Sequence, residues 1–545
     1  MGLEDGADFT IDRIFSEIGD FGVFQIVTFF LICIPNTIAA SFVLNYMFAS
    51  TSLEHRCKVP ECDLGDNNRE ISYDQPWLHY AIPSTDKGYE NCVRYAPINL
   101  SMSNQCDANG FNTSTRIGCT EFIYATDEIN VQTEFNIHCE DSYKLALIGS
   151  ANTIGRFIFL PITGILSDKF GRLRVVLISM LCCSVFGLIK SFSIDYAMYI
   201  VLEFLEGTAN TCIYCGFFVL AIEWVSSRYR ALGIALIGTT FSLGEMLLGF
   251  LAMYIHNFRY LLRVLYAPGL LVVFYFWLVP ESVRWLLITG RIDRAIKTLQ
   301  RIARVNGKTL SEKSIEVLRL QYPSGAKQNS HLSNEEKNGE NLSIFQQMKL
   351  VVASRKLGLR LLNCGYLWAT CCFCFYGLSL ISTHIPGANR YLSFIIVIAV
   401  EIPGAILGAM STNKFGRKNL LFYSLTLSGV SILIAPWIPK DKSLIVLILF
   451  MLGKSSITFA FKVVYVFTAE LYPTNIRGTI MNSCSMIGRI GAVLATFNGH
   501  LMAKHPIVPF LLFGTSAIVG AVLVLLNPET YGKKLPDTIK EAKDL

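Results

Sequence analysis

Twelve apolar runs, each of about twenty residues, constrain this chain more than any other feature. They fall at 23–44, 143–165, 173–192, 196–220, 231–254 and 259–279, then at 357–380, 391–411, 419–437, 442–466, 479–501 and 507–526. A run of that length matches the hydrocarbon thickness of a bilayer as a helix. In lipid every backbone amide needs an internal partner, which a helix provides. The expected fold class is therefore an all-α membrane protein with twelve transmembrane helices. Composition agrees, with 52% hydrophobic and 16% charged residues, against about a quarter charged in soluble domains. The net charge of +6 does not point to nucleic acid, because the basic residues flank the runs rather than gather in one patch. The expected partners are the lipid bilayer and a small solute.

The runs divide as six plus six, and two motifs repeat across the division. Gly164-Ile-Leu-Ser-Asp168-Lys169-Phe-Gly171-Arg172-Leu-Arg174 lies between the second and third runs, and Asn413-Lys414-Phe-Gly416-Arg417 between the eighth and ninth. Glu223 precedes Arg230 by seven residues, as Glu470 precedes Arg477. The offsets nearly agree, 414 − 169 = 245 and 470 − 223 = 247. Two motifs repeating in order at one offset indicate two copies of one six-helix design. The expected organisation is a first half at 1–280, a linker at 281–356 and a second half with its tail at 357–545.

The intervening segments suggest sidedness. Residues 45–142 form a polar insertion with 15 acidic and 6 basic residues. It holds Cys57, Cys62, Cys92, Cys106, Cys119 and Cys139 and two sequons, at Asn99 and Asn112. Six cysteines in a polar loop predict up to three disulfides on an oxidising side, with the pairing left open. The ten other cysteines lie in or beside apolar runs and read as packing residues. The linker carries 14 Lys and Arg, so the positive-inside rule places it in the cytosol and the cysteine loop outside. Before the first run, Phe9, Ile11, Ile14, Phe15 and Ile18 recur at helical spacing. They predict an amphipathic helix lying on the membrane surface. No metal, nucleotide or nucleophile motif is found, so the expectation is a carrier without a cofactor rather than an enzyme.

Several stretches resemble a known family. The two halves with their charged turns look like the major facilitator superfamily. Pro280-Glu-Ser-Val-Arg284-Trp285-Leu286, Glu470-Leu-Tyr-Pro-Thr474, Gly453-Lys454, Ile18-Gly-Asp-Phe-Gly-Val-Phe-Gln25 and Pro528-Glu-Thr are similar to the organic cation, anion and zwitterion transporters within it. The resemblance spans the whole chain. It implies a plasma-membrane carrier of small organic ions working by alternating access. Leu173 and Asn413 depart from the family's usual basic and acidic residues in the two turns. A non-transporting receptor on the same fold is the alternative from another class.

The charged turns are expected to act as a gate. Asp168 would begin the following helix and complement its dipole. Arg172 and Arg174 would pair with Glu223, joined by Arg230, and Arg417, Glu470 and Arg477 would repeat the network. These pairs are expected to latch the two halves together on the cytosolic side while the outer side is open, and to break on inward opening. Other ionisable residues fall within the runs: Arg156, Glu203, Glu206, Glu245, Glu401, Lys454, Lys462 and Arg489. An unpaired charge at mid-membrane costs about 3 kcal/mol or more, so these should face a wet cavity or one another. By the resemblance, Arg489 stands where anion and carnitine carriers have Arg and cation carriers have Asp, and Lys454 matches a basic family position. Both favour a substrate carboxylate. Glu203, Glu206, Glu245 and Glu401 could instead hold an ammonium. Trp368, Tyr376 and Tyr465 are candidates for cation–π contact. The combined expectation is an organic cation or zwitterion, with an organic anion as the alternative.

Overall fold

The structure is a computed structural model and describes residues 7–63, 72–85, 88–98, 106–226, 229–322, 344–384, 389–411, 415–439, 442–533, 536 and 539–544. Twelve helical spans run through it. Span 1 is Val23–Ala49, span 2 Cys139–Phe170, span 3 Arg172–Lys190, span 4 Tyr196–Glu223, span 5 Arg230–Tyr254 and span 6 Phe258–Leu278. Span 7 is Arg355–Ile381, span 9 Arg417–Trp437, span 10 Ser443–Glu470, span 11 Thr474–Thr496 and span 12 Val508–Val524. Span 8 is broken into Arg390–Ala399 and Glu401–Ser411. Pro403 explains the break: it has no N–H to offer the preceding turn. The interruption leaves Glu401 in the first turn of a helix, where a carboxylate meets free amides.

The helices group into two six-span halves with two main hydrophobic cores, the first of which also takes in Tyr391, Phe394 and Ile398 of span 8. The halves meet where span 2 packs on span 11 and span 5 packs on both segments of span 8. One end of the bundle carries the cysteine insertion, here called the loop face. The other carries the basic linker and is called the linker face.

At the loop face the insertion adds three antiparallel two-stranded ribbons to an otherwise helical chain. His55–Cys57 pairs with Phe122–Tyr124, Ser84–Thr85 with Gly88–Tyr89, and Val93–Pro97 with Phe111–Gly118. A small core around Val59, Leu78, Ile82 and Phe111 is too little to hold a fold by itself. Three disulfides supply the rest: Cys57–Cys119, Cys62–Cys106 and Cys92–Cys139. All six predicted cysteines are used. The other ten are free, and seven of them are buried. Asn112 is exposed on its strand, while Asn99 lies outside the described residues.

The amino-terminal helix, Ala7–Glu17, is not laid on the membrane surface. Ile11, Ile14, Phe15 and Ile18 are buried in the first half's core together with Leu299, Ile302 and Leu318 of the linker. Its polar edge is fastened as well. Asp12 receives Arg284 at 2.7 Å, and Glu17 accepts from Ser311 N at 2.7 Å and Ser314 Oγ at 2.5 Å. Burial works against the Glu17 charge, yet those hydrogen bonds hold the carboxyl below its ordinary range. The apolar stripe that suggested lipid is satisfied by protein instead.

Candidate functional site between the two halves

At the linker face a glycine precedes the next span in both charged turns, Gly171 before span 3 and Gly416 before span 9, while Asn413 and Lys414 lie outside the described residues. Span 2 continues through Asp168 to Phe170, and Gly171 turns the chain at φ +110° before span 3 begins at Arg172. Asp168 therefore does not cap span 3. It sits in the last turn of span 2, 70% exposed, and pairs with Arg172. The cap comes from Glu281, which accepts from Leu173 N at 2.9 Å. In the second half Glu529 does the same, accepting from Arg417 N at 2.9 Å and Lys418 N at 3.2 Å. A side chain on either turn glycine would collide with that cap. A Cβ would lie 2.4 Å from Glu281 Oε2 at Gly171 and 2.4 Å from Glu529 Oε2 at Gly416.

The ion pairs of these turns lie within each half. Arg172 Nε is 3.5 Å from Glu223, and Arg417 Nη2 is 3.2 Å from Glu470, which also accepts from Thr530 Oγ1 at 2.5 Å. Arg174 points instead to the linker beside Arg291 and Arg294. Arg477 Nε and Nη2 have no hydrogen-bond partner, and the Arg230 side chain lies outside the described residues. The expected contacts between the halves are not made by these pairs in this structure: Arg172 and Glu223 belong to neighbouring helices of one half, as do Arg417 and Glu470.

The membrane-embedded charges sort into three groups. Lys190 at the end of span 3 lies 2.6 Å from Glu203 and 2.5 Å from Glu206, all three side chains fully buried. Asn152 of span 2 donates to Glu203 at 2.8 Å. Glu203 and Glu206 therefore face a lysine inside the first half and leave no room for a substrate ammonium. Lys454 of span 10 pairs with Glu401 at 2.8 Å and donates to Phe375 O and Ser379 Oγ, each at 2.7 Å. It too is spoken for. Glu401 also accepts from Ser242 of span 5 at 3.1 Å, a hydrogen bond that crosses between the halves.

The third group surrounds the interface. Arg156 of span 2 and Arg489 of span 11, one from each half, line the same small cavity with Tyr46, Asn152, Thr153 and Tyr376. Its volume is about 10 Å³, room for about one water molecule. Arg489 has Tyr376 Oη at 3.4 Å, and Arg156 donates to Val43 O at 3.3 Å while its Nε has no partner. Glu245 of span 5 is fully buried, and neither of its oxygens has a hydrogen-bond partner. Arg156, Glu401 and Lys454 all act on it electrostatically. Of the aromatic candidates, Tyr376 lines the cavity. Tyr465 is 39% exposed and interacts electrostatically with Arg489 and Tyr214. Trp368 is buried, with its ring 4.2 Å from that of Tyr465 at a 55° tilt, and donates to Thr468 Oγ1 at 3.0 Å.

The loop face is closed across the halves. Glu128, anchored to the start of span 6 through Ile129, pairs with Arg390 and accepts from Tyr391 Oη at 2.7 Å. Phe48 packs on Tyr391 and Phe394, and Ser150 of span 2 meets Thr496 of span 11 at 2.6 Å. Beside this seal is a vestibule of about 280 Å³, whose lining includes Tyr46, Ser50, His55, Leu145, Thr383 and Thr496. His55 stands 5.1 Å from His138, and burial, then the His55 charge, push His138 down to about 4. Removing the seal's ion pair with E128Q should cost about 1 kcal/mol. That is roughly a fivefold shift towards loop-face opening. An impermeant maleimide should then label a T383C vestibule cysteine about fivefold faster. An unchanged rate would mean the pair does not hold this face shut.

The comparisons with known proteins agree with this architecture. The family model described as "Sugar (and other) transporter" matches residues 105–540. The chain is 30% identical to the "Organic cation transporter-like protein" of Drosophila melanogaster over 98% of its length and 92% of that protein's. It is 31% identical to human "Solute carrier family 22 member 13", covering 97% and 92%. The human "Organic cation/carnitine transporter 2" is 29% identical, covering 97% and 93%. Among solved structures, the inward-open xylose transporter XylE of E. coli superposes with a TM-score of 0.57 at 16% identity, covering 74% of this chain and 92% of that one. Its partially occluded inward-open form gives 0.56 at 15%, covering 93% and 99%. With this match in sequence along nearly its whole length, and with the major facilitator fold, the chain belongs to the sugar (and other) transporter family, in the branch that contains solute carrier family 22.

Proposed function

We propose that this carrier moves small amino-carboxylate zwitterions across the plasma membrane by alternating access. One observation supports this most: Arg156 and Arg489, from opposite halves, converge on one small cavity, and the buried carboxylate Glu245, on which Arg156 acts electrostatically, accepts no hydrogen bond. Burying an unpaired charge is costly. Glu203, Glu206 and Glu401 already have lysine partners. Glu245 is thus the acid left to meet a substrate ammonium, and the two arginines suit its carboxylate. Tyr376 and Tyr465 add aromatic faces for an alkylammonium. Rocking of the halves would open the cavity to one face at a time. The basic linker favours the cytosol and the disulfide-bonded loop the outside. The relatives named for organic cations and carnitine fit the same solute class.

Uptake assays in cells expressing the protein test the reading, with a betaine, a monovalent amine and an aryl carboxylate as substrates. The betaine should be taken up best. E245Q should reduce its uptake about tenfold, in line with one lost charge contact, and spare the aryl carboxylate. Preference for the aryl carboxylate in wild type, with no effect of E245Q, would make this an organic anion carrier. No uptake of any of the three would favour a receptor.

A further inference from the structure

We propose that a cleft at the linker face, between the start of span 3 and the first long linker helix, is a binding site for a phosphate-bearing anion. Arg174 projects into it from span 3, and Arg291, Arg294 and Lys297 from the linker helix Ile292–Val305 and its cap. Two adjoining concavities, of about 280 and 630 Å³, lie between these side chains. All four cations are exposed, and none makes a salt bridge among the described residues. Of the two acids in the lining, Glu281 is held through Oε1 by the Leu173 and Ser282 amides, its Oε2 accepting no hydrogen bond, and Asp293 pairs with Arg319 at 3.6 Å. Four like charges held around one hollow repel unless an anion joins them.

Two further features suit phosphate. The linker helix opens into the cleft with no side-chain cap, so its first amides and its dipole favour an anion. The Arg291 guanidinium stacks 4.8 Å above the Trp285 ring, which orients its fork towards the hollow. Basic residues that only set topology have no need to converge. Here they come together from segments more than a hundred residues apart in sequence. Arg174 lies in the first turn of a membrane span, so the cleft opens at the depth of the lipid headgroups. The occupant could be a phosphoinositide headgroup or a soluble inositol phosphate, which share this chemistry. The proposal goes beyond the transport reading and shares with it only the cytosolic placement of the linker.

The test uses the full chain in nanodiscs of neutral phosphatidylcholine. It is titrated with a short-chain phosphatidylinositol bisphosphate, with inositol trisphosphate and with inorganic phosphate. Saturable binding is expected for at least one of the two inositol probes. R294Q should weaken it about fivefold, and R291Q/R294Q/K297Q about a hundredfold, at about one charge contact each. The control R304Q/K308Q/K313Q removes as many charges farther along the linker and should stay within about twofold. Tighter binding of the lipid than of inositol trisphosphate assigns the site to the membrane; equal binding assigns it to a soluble phosphate. Equal losses in both triple variants, or no saturable binding, would overturn the site. Transport is measured separately, so failure of the zwitterion reading leaves this result intact.

Discussion

Exchanging Lys190 for Met should strip most of the folded carrier from the membrane. Lys190 is the only cation that ion-pairs with Glu203 and Glu206 among the described residues, and all three side chains are fully buried. Its removal leaves two carboxylates enclosed by Asn45, Asn152, Tyr199 and Tyr266 without a counter-charge. Breaking a buried pair from one side costs about 3–5 kcal/mol. That is a large part of the whole stability of an ordinary protein, about 5–15 kcal/mol. Thermal unfolding of the detergent-purified protein and its surface-labelled fraction should both fall sharply. The triple variant K190M/E203Q/E206Q removes the stranded charges and should recover much of the loss. A K190M protein that melts like wild type would show that spans 3 and 4 do not depend on this cluster.

The second large effect is expected at Arg489. R489Q should lower Vmax/KM for carboxylate-bearing substrates about a hundredfold, the scale of losing a charged hydrogen-bond donor worth about 3 kcal/mol. Uptake of a simple amine should change far less. R489K should recover only part of the activity, because an ammonium cannot reproduce the two-pronged guanidinium contact. Carboxylate uptake equal to wild type in R489Q would reduce Arg489 to a packing partner of Tyr376, 3.4 Å away, and would remove the main support for the zwitterion reading.

The twelve spans were legible because length and hydropathy are read directly from the residues. The duplication was legible because Lys-Phe-Gly-Arg is unusual enough to notice twice. Glu281 and Glu529 escaped as a third repeated part, although both follow a proline and stand 529 − 281 = 248 residues apart. A single glutamate has no periodicity, and its capping role exists only once the chain returns to the turn glycine. Lys190 escaped for a different reason. At the end of an apolar run a lysine normally reaches out to the headgroups, and only the rotation of span 3 reveals that it turns inward. Glu203 and Glu206 stand three residues apart and so share one helix face. That spacing could not say whether the face met a substrate or a neighbour. The same ambiguity sent the amphipathic stripe of the amino-terminal helix to lipid rather than to the linker.

Among the described residues, the linker has no core that belongs to itself. Leu299, Ile302 and Leu318 join the first half's core, while Val351 joins the second. Mechanically the chain is then two levers, each already carrying its own linker-face helices. Tilt is passed through the helix contacts at the seam, where span 2 meets span 11 and span 5 meets span 8.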